Sequence, residues 1–197
     1  MKLAQQHGLS IPYQLGEELG YGADGQVFKS LNDPSKVIKI CGLFQLPNHD
    51  LDQEYLQRSN VLDYLIQTPT TIHACVYEHV KLGEWSRDFD NHPQRYILYY
   101  CVMERLKELS EDEKKVFHSI LSHEDRGIIK NFPLNKLRRI LQGLGLGLEF
   151  SEEKVMVFLD KLKSSKVRHL DLHQRNVMVD NHGNYKLIDF DRCVLKD

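Results

Sequence analysis

Short alternations of apolar and polar residues dominate the first hundred positions. "YQLGEELGYGADGQVFKSL" has apolar ends around a glycine-containing turn and reads as a hairpin with a wide loop. "NDPS" at 32–35 is a turn by composition, and "KVIKICGL" after it is a β-branched strand. The period then lengthens. In "PNHDLDQEYLQRSNVLDYLIQ", polar caps precede Leu51, Tyr55, Leu62 and Leu65 at helical spacing. "IHACVYEHVKL" and "YILYYCVME" read as two further strands, with "GEWSRDFDNHPQ" between them as a polar loop.

Past Glu104 the pattern turns helical. Ser110 and Glu113 form a capping box ahead of Val116, Phe117, Ile120 and Leu121. "NKLRRILQGL" reads as a short helix. Ser151 opens "EEKVMVFLDKLKSS", in which Val155, Phe158, Leu159 and Leu162 make one stripe. "NVMV" and "YKLIDF" are strands joined by the hairpin signal "DNHGN". Strands with one helix, a connector at 104–107, then helices with a hairpin make an α+β chain of two lobes, 1–103 and 108–197.

Composition narrows the class. The 197 residues are 41% hydrophobic and 27% charged, as in a soluble globular protein. A formal net charge of −2 argues against nucleic-acid binding by bulk charge. Cys41, Cys75, Cys101 and Cys193 form no CxxC pair and read as free thiols in a reducing compartment. No stretch is apolar enough for a signal peptide or a membrane span, so the expectation is a cytoplasmic protein.

The chemistry-bearing residues come in several groups. Gly20, Gly22 and Gly25 spell GxGxxG, whose bare backbone can approach phosphate oxygens. A strand follows rather than a helix, which disfavours the dinucleotide fingerprint. Taken alone, a glycine-rich turn explains this stretch. Lys39 lies mid-strand in "VIKI", where a lysine ordinarily faces solvent, and Glu54 sits on the next helix. In "HLDLHQRN", Asp171 precedes Asn176 by five residues, and Asp189 follows in "IDFD". A carboxylate for an acceptor hydroxyl, with Asn and Asp oxygens for Mg²⁺, meets the needs of phosphoryl transfer. Asx caps on a polar turn account for one such residue, not for all three. His169 and His173 form HxxxH, but no Glu follows His169 and no helix is expected there, so zinc is set aside. Gly143, Gly145 and Gly147 read as a loop that packs closely before a helix.

Together these residues resemble the protein-kinase-like superfamily, from about Tyr13 to Asp191. Gly20 to Gly25 look like its glycine-rich loop, "VIKI" like its lysine strand, and Glu54 is placed like its helix glutamate. "YYCVMERL" resembles the strand entering the hinge, with Met103 at the gatekeeper position and Glu104 and Leu106 offering backbone groups to adenine. "HLDLHQRN" is similar to the catalytic loop and "IDFD" to the metal-binding motif. Leu170 and His173 depart from the protein-kinase pattern. "DLH" looks like aminoglycoside and choline kinases, and "IDFDR" like lipopolysaccharide-sugar kinases. Asp191 reads either as a further metal contact or as scaffold paired with Arg192 or Arg175, the second being the favoured expectation.

The resemblance implies a two-lobed protein-kinase-like fold with a β-rich N-lobe and a reduced helical C-lobe, binding ATP and Mg²⁺. Leu19, Gly20, Gly22, Gly25, Val27, Val37, Lys39, Met103, Glu104, Leu106 and Met178 would contact the nucleotide. Asn176 and Asp189 would hold the metal, and Asp171, Lys39 and Glu54 would be the catalytic set. The leading expectation is a minimal protein kinase acting on a Ser/Thr hydroxyl. A small-molecule kinase and a nucleotide-binding pseudokinase module are the alternatives. A reduced C-lobe would leave apolar surface for a protein partner, a second copy, or rearranged helices in 108–150 to cover.

Overall fold

A computed structural model describes residues 11–22, 25–46, 49–89, 92–122, 132–146 and 150–196, with backbone alone at 87–89 and 92–93. The chain divides into two compact units, 1–69 with 75–105, and 70–74 with 106–197.

The first unit is an antiparallel sheet of β1 (Leu15–Gly22), β2 (Gly25–Ser30), β3 (Lys36–Phe44), β4 (Val76–Phe89) and β5 (His92–Glu104), ordered β1-β2-β3-β5-β4. β1 and β2 pair as far as Gly22 opposite Gly25, so the expected wide loop reduces to positions 23–24, which lie outside the described residues. Of the expected polar loop at 83–94, residues 83–89 and 92–94 instead form the far end of a long β4–β5 pairing, and 90–91 lie outside the described residues. Its cross-strand pairs supply the cohesion: Trp85 stacks on Tyr96 at 6.0 Å, and Arg95 Nε donates to Glu84 at 2.8 Å.

Residues directly opposite in antiparallel strands share a face. Phe28, Ile38, Ile40, Tyr100 and Val102 therefore lie on one side, where they form an apolar cluster. Val27, Val37, Lys39, Cys101 and Met103 lie on the other. Helix α1 (Leu51–Gln67) packs on this second side: Leu51 joins Leu43 and Ile97, and Tyr55 meets Tyr99 edge-on at 5.7 Å. Asp50 caps the helix by accepting from the Asp52 and Gln53 N–H groups.

The second unit holds α2 (Glu111–Leu121), α3 (Leu134–Gly143) and α4 (Glu152–Ser164). Its strands are β6 (Lys107–Glu108), β7 (Val167–His169), β8 (Val177–Val179), β9 (Tyr185–Leu187) and β10 (Cys193–Leu195), in sheets β6-β8-β9 and β7-β10. The capping box of Ser110 and Glu113 and the Ser151 cap both form. The core gathers the apolar stripes of all three helices around Phe117, Phe158 and Tyr185. Thr70–Ala74 belongs here through backbone bonds, Leu187 N–H to Ile72 O at 2.7 Å and Ala74 N–H to Leu187 O at 2.9 Å. Close packing is not what Gly143 and Gly145 serve, since a Cβ at either would meet open space. Gly145 instead adopts φ +70° just past the end of α3, a conformation that glycine takes without strain. Gly147 lies outside the described residues. Among the described residues, no helix is long and apolar enough to cross a membrane.

Candidate active site

In the first unit, Lys39 is half-buried on β3, between Val27 of β2 and Cys101 of β5. Val37 and Met103 are opposed one step along the same face. The helix carrying Glu54 packs on that face too. Arg58, one turn on and only 6% exposed, donates to Glu54 Oε1 at 2.9 Å and to the Tyr99 hydroxyl at 3.4 Å. The glycines of the loop differ in role. A Cβ on Gly25 would overlap the Ile40 carbonyl oxygen, so the β2–β3 approach itself demands glycine there. Gly20 and Gly22 have nothing within 4 Å of such a Cβ, so packing within the chain does not require them to be glycine. Leu19, beside them, is exposed.

At the end of β5, the Glu104 N–H donates to Cys75 O at 2.9 Å, and Glu104 Oε2 accepts from the Cys75 N–H at 3.2 Å. The expectation that Glu104 offers backbone groups to adenine therefore narrows to its carbonyl. Leu106, half-buried, begins the main stretch of the second unit.

In the second unit, β7 leads into the loop carrying Asp171, and a 3-10 turn, Gln174–Asn176, follows. His173 Nδ1 accepts from the Arg175 N–H at 3.2 Å and so caps that turn. Asn176, 5% exposed, donates its side-chain N–H to Asp171 O at 2.9 Å. The Ile188 N–H donates to Asn176 O at 2.9 Å. Two hydrogen bonds thus link the Asp171 loop, Asn176 and the strand end that carries Asp189. Asp189 has φ +63°, the one positive φ at a non-glycine residue among those described. Such a conformation costs energy and persists only where the surroundings impose it, and it concentrates at functional positions. Phe190, directly after it, packs against His73 and His169, whose rings stack at 5.6 Å. Arg192 Nη1 lies 3.7 Å from Asp171 Oδ2.

The Asn176 amide nitrogen is committed to Asp171 O, so its remaining atom is a hard oxygen. An amide oxygen and a carboxylate, the groups that Asn176 and Asp189 carry, are ligand types that suit Mg²⁺. No cluster of three or more His, Cys, Asp or Glu side chains able to hold a metal occurs among the described residues. Met178 borders a cavity of about 380 Å³ with Val177 and Ile188. A cavity of about 850 Å³ at the N-terminal ends of α2 and α4 is lined by none of the candidate residues.

Sequence reading missed Arg58 and His73. The i,i+4 spacing of Glu54 and Arg58 was a usable signal. His73 had none, because its partners are distant in sequence.

No protein-family profile and no curated protein matches this chain. The fold, by contrast, matches 953 chains of solved structures. It is a protein-kinase-like α+β fold, with a β-rich first unit and a helical second one. One of those structures is the ROP18 kinase domain in complex with AMP-PNP and sucrose, with a TM-score of 0.51 and 14% identity. The match covers 93% of this chain and 52% of that one, so the chain spans about half the length of the kinase-domain chain it resembles.

Proposed function

We propose that the protein is an ATP-dependent phosphotransferase, acting on a Ser/Thr hydroxyl of a protein. The observation that carries this is the joint fixation of Asp171, Asn176 and Asp189 by the two hydrogen bonds through Asn176, with Asp189 held at a strained φ. In this reading Asp171 orients the acceptor hydroxyl and takes its proton. Asn176 and Asp189 would hold Mg²⁺, which would neutralise phosphate charge. Lys39 binds the nucleotide phosphates, and Glu54 orients Lys39. Arg58 in turn holds Glu54. Leu19, Val27, Val37 and Met178 are the apolar residues assigned to the base, while Gly20, Gly22 and Gly25 let the backbone approach the phosphates. Met103, the Glu104 carbonyl and the Leu106 backbone set the adenine edge.

The AMP-PNP bound to ROP18, a non-hydrolysable ATP analogue, supports the choice of nucleotide. The test is radiolabelled ATP with the purified protein, alone and with a generic basic protein. Wild type is expected to transfer label to protein. Asp171→Ala is expected to lose about 10²-fold or more of the rate while its ATP affinity stays within about threefold. Equal transfer by the two proteins contradicts the assignment. ATP binding with no transfer to any acceptor identifies a binding module instead.

A further inference from the structure

Asp171 and Arg192 form a pair that stability does not explain. Their side chains are 49% and 63% exposed, and an ion pair that open adds little to stability. Their placement is nonetheless fixed by backbone. Arg192 O accepts from the Leu170 N–H at 2.8 Å, and the next residue, Cys193, stands opposite His169 in the β7–β10 ladder. The ladder therefore holds the residue before Asp171 against the backbone of Arg192.

The neighbouring cationic candidates are engaged or placed otherwise. His173 uses Nδ1 to cap the 3-10 turn. Arg175 lines the 380 Å³ cavity with Met178. A guanidinium has several donors in a planar fork, so it can keep one bond to a carboxylate while offering another to a phosphoryl oxygen.

We propose that Arg192 is a catalytic residue supplied within the chain, donating to the oxygens of the transferred phosphoryl group beside Asp171. This rests on the phosphotransferase reading above and adds to it the group that stabilises the transition state. In the step, the acceptor oxygen bonds to the γ-phosphorus as the bond from that phosphorus to the bridging oxygen of ADP breaks. The electron pair of the broken bond leaves with ADP, and the acceptor proton passes to Asp171. Negative charge on the three equatorial oxygens then lies within reach of Arg192, in the manner of an arginine finger acting in cis.

The experiment uses Mg·ADP with and without aluminium fluoride, a mimic of the phosphoryl group in flight, titrated into the full chain by calorimetry. It needs no acceptor. Wild type is expected to bind Mg·ADP, and to bind it at least tenfold more tightly with aluminium fluoride. Arg192→Gln is expected to bind Mg·ADP as wild type does and to lose that tightening, and Arg192→Lys to recover part of it. Full tightening in Arg192→Gln overturns the proposal. So does a wild type that binds Mg·ADP without any tightening, an outcome that leaves the nucleotide-binding reading intact. A wild type that does not bind Mg·ADP overturns both.

Discussion

His73 and His169 are among the most buried polar residues of the chain, at 1% and 2% exposure. Burial, and for His73 also the neighbouring His169, pushes their values down, to about 3 and about 4. The Thr70 hydroxyl and His73 Nδ1 share a hydrogen bond of 2.7 Å. An imidazole whose folded-state value lies below its unfolded value near 6.5 takes up its proton more readily when unfolded. The stability these two neutral rings contribute is therefore complete above about pH 6.5 and is lost as pH falls from there toward about 3 to 4. The thermal midpoint of wild type is expected to drop between pH 6.5 and 5, and that of His169→Phe to drop less. Equal profiles would show that the buried rings do not carry this dependence. At this scale the sequence was uneven. Asp171, Asn176 and Asp189 stood out because three oxygen-bearing residues cannot all be turn caps. The strain at Asp189 and the engagement of His173 had no sequence signal, since both depend on backbone dihedrals and hydrogen bonds.

Helix α2 shows how one side chain can join two elements. Glu113 Oε2 accepts from the Ser110 N–H at 2.8 Å, closing the capping box, while Oε1 accepts from the Tyr185 hydroxyl of β9 at 2.8 Å. Burial, and then the bond to Glu113, hold that hydroxyl protonated well above its ordinary range. Glu113→Ala should therefore cost more than an ordinary cap. A loss of about 2–3 kcal/mol is expected, against about 1 for Tyr185→Phe, with the double variant well short of the sum. Urea unfolding of the four proteins checks this, and simple additivity would show that the two residues do not interact. The capping box was legible because it spans four residues, whereas its link to Tyr185 spans seventy-two and was not. The same distinction separates the elements. Helices and short strands follow from local periodicity, but the outer β4–β5 hairpin is rich in polar residues and reads as loop. Its strand character comes from cross-strand partners such as Arg95 with Glu84.

For the whole molecule, periodicity alone indicated strands with one helix followed by helices with a hairpin, and the structure has that order. The affiliation of 70–74 with the second unit was hidden, because "TIHACVYEHV" holds no Gly, Pro or Asn to mark a break before β4, and the bonds of Ile72 and Ala74 go to Leu187, more than a hundred residues on. The functional account rests on Lys39 of the first unit and Asp189 of the second serving the same nucleotide. Calorimetry of Mg·ATP with wild type, Lys39→Met and Asp189→Asn tests this most directly. The account predicts a saturable site in wild type, weakened about tenfold or more by Lys39→Met, and an affinity in Asp189→Asn that no longer responds to Mg²⁺. No uptake of ATP by wild type, or the same Mg²⁺-dependent affinity in all three proteins, would contradict it.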